Sequence, residues 1–445
     1  MSEISIVVTG DVIAGRPFSK NPTSNLQRFA EVLRATDVAI TNLEIVAPGE
    51  ERHPSTLFHG IPLYADAAIL DELRWIGFNL YGVANNHALD YGVDGLRTTM
   101  DELDRRGMPF AGVGRTLSQA RAPRYFEAKG KRIALIAAGT THARFAMAAD
   151  PTNGDKGRIG IAPVRIDRVH YIEQARFEEF RSTLKRSGVN VRLEEPNSKR
   201  MYFPYPDRAI FRPAPAGGFA VEGVHFVPSD DPRVEMVALE SDVKALLESV
   251  TEATKNADFV IVSLHSHEGA GGAWNGETLP EFLKPLSYRL IDAGAGAVVN
   301  HGPHTLRGIE IYKHRPICYS LSNIIYRQDT VEAFPAEFYE QVGLRTDSTP
   351  AEMAALMSSF TDDPHLWDTI AVRFVYENDA VSSVEIVPVD LNDANEPPGL
   401  PKLATGEAAT RILETMIRLS KPFGTEIQVV NGADGQTLGR VNLHT

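Results

Sequence analysis

The chain has 445 residues, 43% of them hydrophobic and 23% charged, which is enough soluble, globular sequence for a large core holding two domains or one domain with insertions. Its formal net charge of −13 excludes non-specific nucleic-acid binding, which needs a basic face to displace phosphate counterions, and Arg121, Arg124 and Arg132 read as a solvated face. No run approaches the ~20 apolar residues of a membrane span, the start MSEISIVVTGD lacks the features of a signal peptide, and a single cysteine rules out an internal disulfide, so a cytoplasmic protein without a membrane anchor is expected.

In chain order, Ile4–Thr9 predicts a strand and Asn25–Arg34 a helix. Val38–Thr41 predicts a strand, Ala67–Gly77 a helix, Asn79–Val83 a strand, Val93–Arg106 a helix and Arg132–Ala137 a strand. This alternation is a βαβ layout with right-handed crossovers. Arg168–Arg186 reads as a charged helix inside an irregular stretch, 165–231, rich in Arg, Pro and aromatics around Tyr202–Pro206 and Arg212–Gly218. An insertion of that length reads as a lid. Asp258–Leu264 is a continuous apolar strand, followed by a helix over Pro280–Ala293 and a strand over Ala297–Asn300. Leu306–Tyr312 and Arg315–Leu321 form a hairpin-like pair, with Cys318 reading as buried packing in mid-strand. A helix is expected over Thr349–Ser359, a second hairpin around Asn378-Asp379, a helix over Glu407–Ser420 and a short strand pair around Asn431-Gly432. The expected organisation is a core over 1–330 interrupted by 165–231, a helical insertion over 331–365, and strands and a helix over 366–445 that complete the core. Two sheets packed face to face with helices outside are the expected architecture.

Polar clusters follow the apolar strands. They are Thr9-Gly10-Asp11, Asn42-Leu43-Glu44, Asn85-Asn86-His87 within ANNHALDYG, His265-Ser266-His267-Glu268 and Asn300-His301-Gly302-Pro303-His304. Each places imidazole, carboxylate or amide groups at the edge where open α/β sheets build active sites. Imidazole, carboxylate and amide oxygen without thiolate suit zinc, manganese or iron, as one ion or as a pair ~3.5–4 Å apart, and imply hydrolysis by metal-activated water.

At these residues the chain resembles the CapA family of bacterial capsule poly-γ-glutamate biosynthesis proteins, within the calcineurin-like metallophosphoesterase superfamily. The resemblance runs through GDV at Gly10–Val12, NLE at Asn42–Glu44, ANNHALDYG, GVG at Gly112–Gly114, the His265 cluster, and NHGPHTLRGIEIY with CYSLSNII. It implies a four-layer α/β/β/α sandwich. It implies metal ligands at Asp11, Glu44, Asn86, His265, His301 and His304, with His87 as general acid or transition-state stabiliser. Asp90 either orients His87 or caps the following helix. The superfamily's first motif carries a histidine two residues after its aspartate, where this chain has Ile13. His267, on the same side of the strand end as His265, is a further ligand or a substrate contact. Many family members carry a membrane anchor ahead of this domain; here none is expected, which points to a stand-alone hydrolase.

Three functions follow. The first is metal-dependent hydrolysis of an amide or peptide-like bond, γ-glutamyl by the family's link, on a small or peptide-like anionic substrate gripped by Arg144 and Arg158. The second is phosphoester hydrolysis, inherited from the superfamily. The third is a non-enzymatic module for capsule polymer assembly or binding.

Overall fold

The computed structural model describes residues 3–55, 61–188, 216–221, 224–328, 334–359, 364–392, 398–432 and 435–443. Tyr202–Pro206, Arg212–Pro215 and much of the region read as a lid lie outside the described residues. What is described is a mixed α/β fold built on two large sheets.

The ten-stranded sheet is centred on the strand Ile4–Ala14. Val38–Leu43, Leu80–Gly82 and Phe110–Ala111 follow in parallel on one side. On the other side lie Asp368–Glu377 and Ala380–Asp390, antiparallel, then Thr437–Val441 and Ile427–Asn431. The six-stranded sheet carries Lys131–Gly139, Phe259–His265, Ala297–His301 and Arg315–Leu321 in parallel, with antiparallel edges at Arg124–Ala128 and Leu306–Tyr312. The first of the polar clusters does not simply follow its strand. The strand runs on past Thr9 to Ala14, with a register shift at Asp11/Val12 where Asn323–Arg327 joins it in parallel. Asp11 thus sits on rigid, paired backbone.

Alternation decides which face each side chain serves. Phe259 and Ile261 join the core that contains Ile6, Val8 and Phe374 of the larger sheet. The rings of Phe259 and Tyr376 lie 4.7 Å apart, so the two sheets face one another directly. Val260, Val262 and Leu264 point the other way, onto Val243, Leu246 and Val250 of the helix Glu240–Ala253 and Leu283, Leu286 and Leu290 of the helix Leu283–Asp292. Helices Ser24–Arg34, Ile69–Ile76 and Gly92–Arg105 bury Leu26, Phe29, Leu70, Leu73, Leu96 and Leu103 in the larger core. Cys318 is buried there too.

Both expected hairpins form, and their turns explain why. Lys313-His314 and Asn378-Asp379 all have φ between 50° and 61°. Successive left-handed residues make the turn whose twist matches a two-residue hairpin. The helix expected over Arg168–Arg186 is half wrong. Ile166–Glu173 is a strand, and only Phe177–Arg186 is α-helical. That strand joins Phe219–Val221, Val224–Ser229 and Arg233–Ala238 in a separate four-stranded sheet with its own small core of Phe177, Phe219 and Val221. The β-branched and aromatic residues Ile166, Val169, Tyr171 and Ile172 outweigh the charges that suggested a helix. Among the described residues no helix is long and apolar enough to cross a membrane.

Candidate metal centre

The parallel strands of both sheets end at the same edge, and the five polar clusters meet there. Gly10 permits the approach of the chains: a Cβ on it would lie 1.7 Å from the Ser322 carbonyl oxygen, to which the Asp11 amide donates at 3.0 Å. Gly302, at φ 117°, turns the chain after His301 so that its amide donates to Asp11 Oδ2 at 2.8 Å.

Two donor groups result. Asp11, His265 and His301 form one, and Glu44, His267 and His304 the other, with the ligand atoms in each within 4.8 Å of one another. Asn86 joins them: its Oδ1 lies 2.7 Å from His265 Nε2 and 3.3 Å from His267 Nε2. Asp11 and Glu44 are fully buried, and of the four imidazoles only His304 is partly exposed. His267, which sequence left open between ligand and substrate contact, stands with Glu44 and His304. Ile13, buried, lines the same cavity as His87.

Almost every imidazole has one nitrogen tied down. His87 Nδ1 donates to Asp90 Oδ2 at 2.7 Å, and Asp90 Oδ2 also accepts from the Leu63 amide. Asp90 is thus in direct contact with the His87 ring, and the N-cap of the helix Gly92–Arg105 is Tyr91. His267 Nδ1 lies 2.7 Å from Asn275 Oδ1, and His304 Nδ1 lies 2.8 Å from Asn323 Oδ1. His301 Nε2 lies 2.8 Å from Ser263 Oγ. Such partners fix ring orientation and tautomer, leaving Nε2 of His87, His267 and His304 and Nδ1 of His301 to face the centre. Asn42 donates to Asp11 Oδ1 at 2.8 Å and is itself held by Asn85.

The charges are unbalanced. Burial opposes ionisation of Asp11, but the His301 and His265 imidazoles hold its carboxyl well below the ordinary value. Burial, and then the Asp11 and Asp90 carboxylates, push Glu44 well above its ordinary value. Burial lowers His265 to about 4 and lowers His267 and His304, so these rings are neutral and their lone pairs free. Neither Glu44 oxygen has a hydrogen-bond partner among the described residues, and its ionic neighbours are the rings of His265, His267 and His87 at 3.4 to 3.8 Å. A buried carboxylate with no donor among the described residues, ringed by imidazole nitrogens, is a donor set suited to a cation. The residues fit a divalent metal.

The loop beyond His267 is strapped down. Arg307, fully buried, donates to the Glu268 and Gly276 carbonyls at 2.7 to 2.9 Å, so one guanidinium holds both ends of the segment carrying Trp274 and Asn275. Burial lowers its pKa to about 10. Glu268 accepts from Thr140, Thr141 and Ser266 hydroxyls. Sequence reading missed Ser263, Asn275, Arg307 and Asn323; Arg307 in NHGPHTLRGIEIY and Asn323 in CYSLSNII lay within motifs that carry the family resemblance. The two arginines expected to grip substrate lie elsewhere: Arg158 is exposed and donates to the Met147 carbonyl, Arg144 sits half-buried in the turn Arg144–Ala146, and neither lines the cavity over the donor groups.

Fold and site together define an α/β protein with a buried histidine–carboxylate cluster able to hold divalent metal. The chain belongs to the bacterial capsule synthesis protein PGA_cap family, whose model matches residues 5–328. It is 32% identical to the uncharacterised protein y4sH of Sinorhizobium fredii over 96% of this chain and 91% of that one. It is 23% identical to the PGA biosynthesis protein CapA of Bacillus subtilis, over 73% of this chain and 64% of that one. A probable polyglutamine synthesis accessory protein of Mycobacterium tuberculosis is 28% identical over 65% of this chain and 56% of its own length.

Proposed function

We propose that the protein is a metal-dependent hydrolase of an amide or peptide-like bond, carried on a four-layer α/β/β/α sandwich of the metallophosphoesterase type. The observation that carries this is Glu44: a fully buried carboxylate with no hydrogen-bond partner among the described residues, ringed by the imidazoles of His265, His267 and His87 at 3.4 to 3.8 Å. Asp11, His265 and His301 would hold one divalent ion and Glu44, His267 and His304 a second, with Asn86 reaching both; manganese, zinc and iron suit this donor set. When bound, the metal supplies a Lewis acid that activates water and polarises the group under attack.

The chain's own part is proton handling and exclusion of water. His87 presents Nε2 to the cavity and is anchored through Nδ1 by Asp90. A proton held at Nε2 can pass to the departing nitrogen while the Nδ1 hydrogen bond to the buried Asp90 keeps the ring in place. Asn275, Asn323 and Ser263 keep the other rings from rotating. The γ-glutamyl version of this reading, and a role in capsule polymer synthesis, draw support from the names of the Bacillus and Mycobacterium relatives. A lid role for 165–231 is proposed with it.

The test is metal analysis of the purified protein, followed by chelation and restoration with manganese, zinc or iron against amide and phosphoester panels. Metal-restored turnover of an amide supports the proposal. Turnover of aryl phosphates alone assigns the superfamily's phosphoester chemistry instead, and absence of stoichiometric metal assigns a binding or assembly role.

A further inference from the structure

A cleft of about 900 Å³ opens beside Asn86, His87, His267 and His304. None of the described residues lining it is a lysine or an arginine. Its polar groups beyond the metal cluster include three amides, two hydroxyls, the His365 ring and one carboxylate, Glu277, which Arg418 engages bidentately at 2.9 and 3.0 Å. Much of the wall is apolar: Ile61, Leu63, Phe338, Val342 and Leu366. At its rim Trp274 stacks on His267, with ring centroids 4.6 Å apart and planes within 8°, yet the residue remains 58% exposed. One indole face is thus pinned to a ligand imidazole while much of the ring stays open.

We infer that the group this site accepts beside the reacting bond is uncharged and apolar, an aromatic or aliphatic side group seated on Trp274, and not the row of carboxylates a poly-γ-glutamyl chain presents. The inference rests on the hydrolase reading for the place of that bond, but its physical basis is the cleft itself. On the apolar walls, away from the metal cluster, a carboxylate would lose its water and meet no lysine or arginine among the described lining residues. An aromatic ring would cover the open indole in a stacked or edge contact and displace water from apolar walls. Arg307 acts through the 268–276 segment to hold that platform in place.

The test is calorimetric titration of the full-length protein, metal-loaded and metal-free, with N-acetylphenylalaninamide and with the α-amide of N-acetylglutamate. The phenylalanine ligand is expected to bind at least tenfold more tightly. Trp274→Ala should weaken it about tenfold with metal content unchanged, and Trp274→Phe should restore most of the affinity. Gln341→Arg, on the exposed side of the cleft, should raise affinity for the glutamate ligand and serves where Trp274→Ala fails to fold. Equal or tighter binding of the glutamate ligand by the unaltered protein overturns the inference, as does an unchanged Trp274→Ala or no binding of either ligand. Failure of the hydrolase reading looks different: no amide is turned over while the binding preference stands.

Discussion

Replacing Glu44 by glutamine isolates a buried acid whose surroundings suit a bound cation. The carboxylate is fully buried, neither oxygen has a hydrogen-bond partner among the described residues, and Asp11 and Asp90 add like charge. Leaving a buried polar group unsatisfied costs about 1–3 kcal/mol. Glutamine keeps the shape, removes the charge and offers an amide donor toward the lone pair of His267 Nε2, 3.8 Å away. In the presence of a chelator Glu44→Gln should therefore be more stable than the unaltered protein by about 1–3 kcal/mol, on the order of 1–3 °C in melting temperature for a chain of this length. The sign with pH follows from the raised carboxyl. The folded state retains a proton that the unfolded state releases, so Glu44 costs stability as pH rises above its ordinary value, and the variant's advantage grows with pH. With metal the order reverses. Free metal at a hundred times its dissociation constant adds about 2.7 kcal/mol to a protein that binds it, a gain the variant should largely lose. Thermal melts of both proteins, in chelator and in manganese and at two pH values, read all of this. A variant that is less stable in chelator, or that gains as much from metal as the unaltered protein, refutes the reasoning.

Other outcomes follow from the same geometry. His87→Ala should lower turnover about 10²–10⁴-fold with metal content retained, and Asp90→Asn should lower it less, as steady-state kinetics beside elemental analysis will show. Asn275→Ala frees the His267 ring and should weaken metal binding roughly 10–100-fold, measured by competition with a chromogenic chelator. Cys318, whose thiol burial pushes up to about 12, should stay unmodified by a thiol reagent until the protein is unfolded, which mass spectrometry can follow.

What could be read from sequence and what could not divide along physical lines. The strands at Ile4, Val38 and Phe259 are continuous apolar runs because they are covered on both faces, and such runs announce themselves. The polar residues that end them are equally visible, since an Asn-Asn-His or a His-Ser-His after a buried strand has few structural uses. The strand Ile166–Glu173 was hidden because Asp167, Arg168 and Glu173 give it the charge density of a surface helix. The partners of the imidazoles were hidden for another reason. Ser263, Asn275 and Asn323 reach their rings through strand register and loop path, and nothing in an isolated Trp-Asn-Gly or Leu-Ser-Asn says which histidine it will meet. The bidentate forks of Arg144 and Arg158 suit a carboxylate, but that chemistry does not say where the backbone carries the side chain.

The central claim is that these side chains enclose metal. Anomalous diffraction from crystals grown with manganese tests it most directly. The account predicts peaks bounded by Glu44, His267 and His304 and by Asp11, His265 and His301, each within ~2.0–2.3 Å of its nitrogen and oxygen ligands. No anomalous signal in this cluster, with the Glu44 carboxylate instead satisfied by side-chain donors, would contradict it.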